Sequence, residues 1–365
     1  MRGDDGRKWG LIRLARNQPR PCGWTEGAAA FIVLCMKFGV LQFFSWPERR
    51  VDLATVYARA LERIEVMDRS GYDAVWLAEH HFSSFSVCPS VHMVGMLAAA
   101  RTRRLRIGTA VSLAPFYHPL RLAEEVALLD VLSGGRVNWG AGRGFARVEF
   151  EAFGVRPEES TSRFRETVEI VLKAWTEERL SFAGKHFHFD DVEVLPKPAQ
   201  SPHPPIWMAA SSEGAIEWAA GRGFSILMDP HSSAAEIGRK RRLYGTRLAA
   251  AGFSEAGRDI PVARLVALAA DAQAAAQVAR NGAQWIVNSY LGAQHRPVMQ
   301  GNFTPEGVDP VQRYLDEVIL HGTPEAVAEQ ILRLRAEIGL DYLLCAPLSH
   351  ESFMLLTERV LPRLA

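Results

Sequence analysis

Downstream of Met36, short apolar runs alternate with longer stretches in which apolar side chains recur every three or four residues. The runs at 37–43, 74–77, 105–111, 136–139, 206–209, 224–228, 262–268 and 342–345 are rich in aliphatic, β-branched or aromatic residues. Strands buried on both faces have that composition. A helical pattern follows each: 53–70, 90–101, 119–132, 162–176, 213–222, 234–251, 271–289 and 350–363, with a further one at 323–338 before the last strand. In 53–70, Leu53, Val56, Tyr57, Ala60, Ile64 and Met67 make one face, and Arg59, Glu62, Arg63 and Asp68 the other. Ser70-Gly71 is its stop signal.

Strand then helix, eight times over, predicts an α/β fold of the (β/α)8 class, a TIM barrel. A doubly wound open sheet would normally show a Gly-rich dinucleotide turn after its first strand, and none is present. Two segments exceed a plain barrel. Residues 177–204 alternate like a hairpin around Gly184 and return through Pro196, Pro198, Pro202, Pro204 and Pro205. Residues 291–322 have little periodicity, and so long a connection reads as a lid or mobile loop. Residues 36–365 form one expected domain, with no linker inside it.

Residues 1–35 are rich in Arg, Gly and Pro and contain one brief apolar run, 28–35. That run is too short for a bilayer, which takes about 20 residues. A signal peptide is the rival, but no clean small-x-small cleavage site follows. The simpler expectation is that Met36 opens the folded protein and 1–35 lie outside the fold. The expected location is then cytoplasmic.

Charge narrows the partners. The 42 Lys plus Arg against 41 Asp plus Glu leave a formal net charge of +1 on 365 residues. No global field draws nucleic acid or an anionic membrane. Cys22, Cys35, Cys88 and Cys345 form no C-x-x-C pair, which argues against a disulfide scaffold or zinc ribbon.

In a barrel, chemistry gathers where strands end. After the second strand stand Glu79-His80-His81-Phe82, and after the third 112–119 with Phe116, Tyr117 and His118. Gly140, Gly142 and Gly144 follow the fourth in G-x-G-x-G spacing, unlike the dinucleotide fingerprint. Those glycines let backbone approach a ligand. Arg143 is a fork suited to phosphate. Ser211 and Ser212 sit where a strand yields to a helix, an anion-binding arrangement. Together these suggest a phosphate-bearing cofactor. The Glu79-His80-His81 run is read equally well as general acid–base chemistry or as a polar strand end with one His bonded to Glu79. His186-x-His188 places two imidazoles on one strand face but has no third ligand, so no metal is expected. Phe43, Phe44, Trp46, Phe82, Phe85, Phe116, Tyr117 and Phe145 crowd the same loops as core or as an apolar pocket.

The motifs M-K-F-G (36–39), G-Y-D-A-V-W-L-A-E-H-H-F (71–82), R-I-G-T-A-V (106–111), H-P-L-R-L-A-E-E (118–125), L-D-V-L-S-G-G-R (129–136), G-R-G-F (142–145), L-P-K-P (195–198), P-P-I-W (204–207) and G-T-P-E (322–325) run through nearly the whole chain in order. In these the chain resembles the bacterial luciferase-like flavin-dependent monooxygenases, close to the luciferase alpha subunit. The resemblance implies a (β/α)8 barrel that binds reduced FMN (FMNH2), supplied by a separate NAD(P)H:flavin reductase. It implies reaction with O2 through a flavin C4a-peroxide that oxygenates a small organic substrate. His80 would be the catalytic histidine and Glu79 its neighbour at the flavin. Arg143 would grip the flavin phosphate with Gly142, Gly144 and Phe145 around it, and Ser211 and Ser212 would fall on the phosphate loop. Ala110 and Val111 would back the ring through a non-proline cis peptide. Phe44, Phe82, Phe116, Tyr117 and Glu149 would line the substrate side. A homodimer is expected.

The chain also departs from the alpha subunit. Gly142 stands in place of its reactive cysteine, Ala146 of a tyrosine and Ser211 of a glutamate. These changes put light emission and a long-chain aldehyde substrate in doubt. Two other functions use the same barrel: a deazaflavin-dependent oxidoreductase, and a non-catalytic flavin-binding subunit. Retention of His80 and Arg143 argues against the latter.

Overall fold

The computed structural model describes residues 36–290 and 307–364. Twelve strands are present among them: β1 (Lys37–Gln42), β2 (Ala74–Leu77), β3 (Arg106–Thr109), β4 (Ser112–Leu113), β5 (Val137–Gly142), β6 (Leu180–Ala183), β7 (His188–Val192), β8 (Ile206–Ala209), β9 (Ser225–Leu227), β10 (Val262–Leu268), β11 (Leu320–Gly322) and β12 (Tyr342–Pro347). The helices that position the site are α1 (Leu53–Arg69), α2 (Val91–Arg101), α3 (Pro119–Ser133), α4 (Arg147–Ala152), α5 (Ser160–Thr176), α6 (Glu213–Ala220), α7 (Ala234–Ala250), α8 (Ala272–Tyr290), α9 (Pro310–Arg313), α10 (Pro324–Ile338), α11 (His350–Leu355) and α12 (Leu361–Leu364). Local chemistry sets their ends. The Asp52 carboxylate accepts from Thr55 N at the start of α1, and Ser233 and Glu236 form a reciprocal capping box on α7.

The main sheet runs β11-β10-β12-β1-β2-β3-β5-β8-β9, every pairing parallel, with β4 beside β5. Alternate strand residues belong to two separate apolar clusters. Leu41, Trp76, Leu265, Tyr342 and Leu344 pack among themselves on one face. Val40, Val75, Leu77, Leu343 and Cys345 pack under the helices on the other. A sheet whose one face is filled by its own side chains is curled around them. Trp76 and Trp207 meet edge to face there at 5.1 Å, and Trp76 Nε1 donates to Tyr342 Oη.

The plain closed barrel needs correction, because the strand ladder is open between β9 and β10. The edges meet through one isolated bridge, Met228–Val262, in which Met228 N donates to Pro261 O and Ala263 N to Met228 O. β9 is three residues long and Pro261 has no N–H, so the pairing cannot extend. The hairpin expected around Gly184 is present as antiparallel β6–β7. The expected strand 105–111 stops at Thr109, and a cis Ala110–Val111 peptide separates it from β4. The last helix divides into α11, a π turn at Leu356–Val360, and α12. Residues 307–322, expected to be irregular, hold α9, a π turn at Tyr314–Val318, and β11. The rest of the expected lid, 291–306, and the extension 1–35 with Cys22 and Cys35 lie outside the described residues. No helix among the described residues is long and apolar enough to cross a membrane.

Candidate active site

A cavity of about 740 Å³ opens at the C-terminal ends of the strands. Its wall includes Glu79, His80, Ala110, Val111, Gly142, Arg143, Gly144, Phe145, Ser211 and Ser212. The tertiary structure therefore brings together ten residues from four separate strand ends.

At one end two cations meet. Arg143, just past β5, donates through Nη1 to Thr161 Oγ1 at 2.8 Å. Arg165, one turn along α5 from Thr161, lies over the Trp218 ring at 5.6 Å. Burial first, and Arg165 second, pull the Arg143 guanidinium down from its ordinary value, with no carboxylate opposing them. Ser212 caps α6, accepting from Ala215 N, so Ser211 and the first amides of that helix face the same space. Thr161, Arg165 and Trp218 were missed in the sequence. The i, i+4 spacing of Thr161 and Arg165 was the available signal.

The middle is a close approach of backbone. A Cβ on Gly142 would stand 2.3 Å from Val111 Cγ2 and 3.4 Å from Ala209 Cβ. A cysteine cannot occupy that position unless Val111 moves, so the departure at Gly142 has a steric cause. Gly144 holds φ +79°, which suits glycine.

The other end is built around His80. Its N–H donates to Cys88 O at 3.1 Å, and its ring packs edge-on to Phe85 at 5.2 Å. Nδ1 lies 3.9 Å from Glu149 Oε1. His81, rather than His80, bonds Glu79, with Nε2 3.0 Å from Oε1. Glu79 Oε2 accepts from Tyr117 Oη at 2.9 Å, so that carboxylate is fully engaged. Glu149, on α4, accepts from His81 N through Oε1, while its buried Oε2 has no hydrogen-bond partner. Burial raises its carboxyl from 4.5 to about 7, partly offset by the His81 amide.

Five residues expected on the substrate side stand off the cavity wall. Phe44 is core, packed on Tyr57, because inward orientation at that position points under α1. Phe82 is 59% exposed, turned outward by a backbone φ of +55°. Phe116 backs Gly144, meets Phe150 edge to face and stacks on Phe153. Tyr117 lies behind Glu79, and Glu149 behind His80 and His81. His186 Nε2 is 2.8 Å from Ser162 Oγ, and no cluster of three potential metal ligands exists among the described residues. Cys88 and Cys345 are buried free thiols, each pushed up to about 12 by burial. The cavity also reaches Asp229, His231, Ser232, Lys240 and Arg313, none of which the sequence marked.

The family of luciferase-like monooxygenases matches residues 36–342. The chain belongs to that family. Among its relatives, the oxygenase component of the flavin-dependent trigonelline monooxygenase of Acinetobacter baylyi is 28% identical over 297 residues, 79% of this chain and 81% of that one. The crystal structure of the monooxygenase RslO1 from Streptomyces bottropensis superposes with a TM-score of 0.79 at 30% identity, covering 90% of this chain and all of that one. The oxygenating constituent of 3,6-diketocamphane monooxygenase from Pseudomonas putida, in complex with FMN, shares the fold at 20% identity and a TM-score of 0.75, covering 91% and 99%. F420-dependent enzymes share that fold too. This luciferase-like protein is thus an oxidoreductase by family.

Proposed function

We propose that the cavity binds reduced FMN delivered by a separate NAD(P)H:flavin reductase, and that the protein uses it with O2 to oxygenate a small organic substrate. The observation that carries this reading is the pair Arg143 and Arg165 beside the start of α6. Two guanidiniums without a carboxylate between them, next to free helix amides, match a phosphate dianion. The apolar wall that Val111 makes in contact with Gly142, continued by Leu113 and Phe43, suits a flat ring lying against it. The residues therefore fit the group.

Bound there, reduced flavin supplies the electrons that activate O2. The chain's own contribution is threefold. Arg143, Arg165, Ser211 and Ser212 hold the phosphate. Phe43, Leu113 and Phe145 exclude water from the ring. His80 moves a proton at the cavity wall, with Glu149 behind Nδ1 as a group that holds a proton near neutral pH. Glu79, tied to His81 and Tyr117, orients the segment rather than exchanging protons.

The bridge at Met228–Val262, which joins the β9 and β10 sides of the sheet, supports closure into a barrel. Exposed Met93 and Leu97 on α2 with Leu128 and Leu132 on α3 support a homodimer through those helices. Trigonelline, named for the relative, is a starting substrate for screening.

The test is anaerobic mixing with photoreduced FMN, followed by oxygen, with absorbance read by stopped flow. A transient spectrum absent from free flavin, and slowed reoxidation, are expected. Reoxidation identical to free flavin would turn the assignment to deazaflavin hydride transfer. Arg143→Ala should weaken FMN binding by about 1.5–3 kcal/mol, the loss of a charge-assisted hydrogen bond. Unchanged affinity in a fluorescence titration removes Arg143 from the site.

A further inference from the structure

A second groove begins where the proposed phosphate site ends. Its volume is about 240 Å³, and it shares Arg165 and Trp218 with the large cavity. One side is the face of α5 on which Arg165, Glu169 and Leu172 recur at four and then three residues. The other side is the end of α6, with Trp218, and the turn beyond it, with Arg222 and Phe224. The chain folds back after Ala220: Phe224 N donates to Ala219 O, and the Phe224 ring meets Trp218 at 5.8 Å. Ordinary ligand pockets hold roughly 300–1,000 Å³, so this groove has room for one part of a ligand rather than the whole.

Its cations are open to a ligand. Arg165 lies 5.6 Å and Arg222 4.8 Å from the centroid of the same Trp218 ring. A guanidinium stacked on a ring keeps the N–H groups along its edge available for hydrogen bonds. Both arginines are exposed, and among the described residues neither guanidinium is paired with a carboxylate. Arg165 also stands near enough to Arg143 to disfavour its charged form. Three guanidiniums thus follow one another from the cavity into the groove: Arg143, Arg165 and Arg222. The first two flank the proposed flavin phosphate, whereas Arg222 belongs to the groove alone.

The groove also has an acid and an apolar wall. Glu169 is exposed and forms no ion pair with either arginine among the described residues. A carboxylate accepts hydrogen bonds and donates none, so it suits hydroxyl groups and repels an anion. Ribose hydroxyls are held by an acidic side chain in this way in dinucleotide sites. Leu172 and Phe224 offer a half-buried apolar surface. The matching ligand fragment therefore has an oxyanion for Arg222, hydroxyls for Glu169 and a flat apolar part for Leu172 and Phe224.

We propose that this groove receives the adenosine monophosphate half of a flavin dinucleotide, so that the protein takes reduced FAD as well as reduced FMN and holds FAD more tightly. The inference rests on the reading of the large cavity as a flavin site. Arg143 and Arg165 keep the first phosphate, Arg222 receives the second, and Glu169 accepts from the ribose hydroxyls. The redox-active ring is the same in both cofactors, so the groove changes which flavin is held and leaves the oxygen chemistry unaltered.

FMN and FAD, each photoreduced under nitrogen, are titrated calorimetrically into the protein. FAD should bind about tenfold or more tighter, the size of a charge-assisted hydrogen bond. Arg222→Gln should bring FAD to within about threefold of FMN while FMN affinity stays the same. If that variant fails to fold, Glu169→Gln carries the test: FAD should weaken by about threefold with FMN unchanged, and no weakening overturns the proposal. An FAD preference that survives Arg222→Gln in full also overturns it, because the second phosphate then lies elsewhere. If FMN binds and FAD binds no tighter, only this inference fails. If neither flavin binds, the flavin reading itself fails and this inference with it.

Discussion

The two ends of the cavity solve opposite electrostatic problems. Around His80 the buried charges are acids: Glu79 is absorbed by His81 and Tyr117, while Glu149 keeps one oxygen unpartnered and titrates near neutrality. Around Arg313 the charges are paired: Asp229 is held ionised by Lys240, and Arg313 reaches Glu236 and Glu317. A carboxylate without a cation resolves its burial by keeping a proton. A guanidinium cannot give up its charge at neutral pH and must find an oxygen instead. The first region is thereby suited to proton transfer, whereas the second keeps its charges in ion pairs.

Removing one acid from each region should separate them, and the largest effect falls where the ions are paired. Asp229→Asn leaves Lys240, which is 8% exposed, without its carboxylate. A loss of about 3 kcal/mol in unfolding free energy is expected, the low end for a broken buried pair because Asp229 is partly open to water. Chemical denaturation at pH 7 measures it, and an unchanged midpoint would mean Lys240 is hydrated.

His80→Ala comes next. Turnover should fall at least about 100-fold, the usual share of a proton-transfer group, with FMN affinity held. Equal turnover would make this end structural and favour the non-catalytic subunit.

Glu149→Gln should act in the opposite sense to Asp229→Asn. The folded protein binds that proton more tightly than the unfolded chain, since burial lifts the carboxyl from 4.5 to about 7. The stabilisation is complete below about 4.5 and is lost as pH rises through 7. The variant should match the parent at pH 4.5 and exceed it by about 2–3 kcal/mol at pH 8.5, from the free energy per pH unit. Thermal unfolding at the two pH values decides, and a stability difference that does not change with pH would reject an ionising Glu149.

Ser212→Ala is the smallest change. Loss of the α6 cap should cost about 1 kcal/mol of stability. It samples the phosphate end beside Arg143. A shift in FMN affinity with no change in unfolding would mean that the hydroxyl serves the ligand rather than the helix.

The order of elements was legible along the chain, because period-two and period-3.6 patterns are written in consecutive residues. Strand 262–268 and helices 53–70, 119–132 and 323–338 stand within about a residue of their expected places. The ten cavity residues marked in advance all sit in contiguous strand-end motifs, where a few neighbouring letters carry the chemistry. Other features depended on neighbours distant in sequence. Whether the ladder closes depends on Pro261 meeting Met228. Phe44, Phe82, Phe116 and Tyr117 had the right composition for a pocket, but packing against α1, Phe153 and Glu79 decided which way each faces. Glu149 gains its high carboxyl value from burial under His81, and Arg313 meets Glu236 and His231 O only because α9 packs there. Desolvation and charge pairing are properties of a three-dimensional neighbourhood, and no spacing along the chain encodes them.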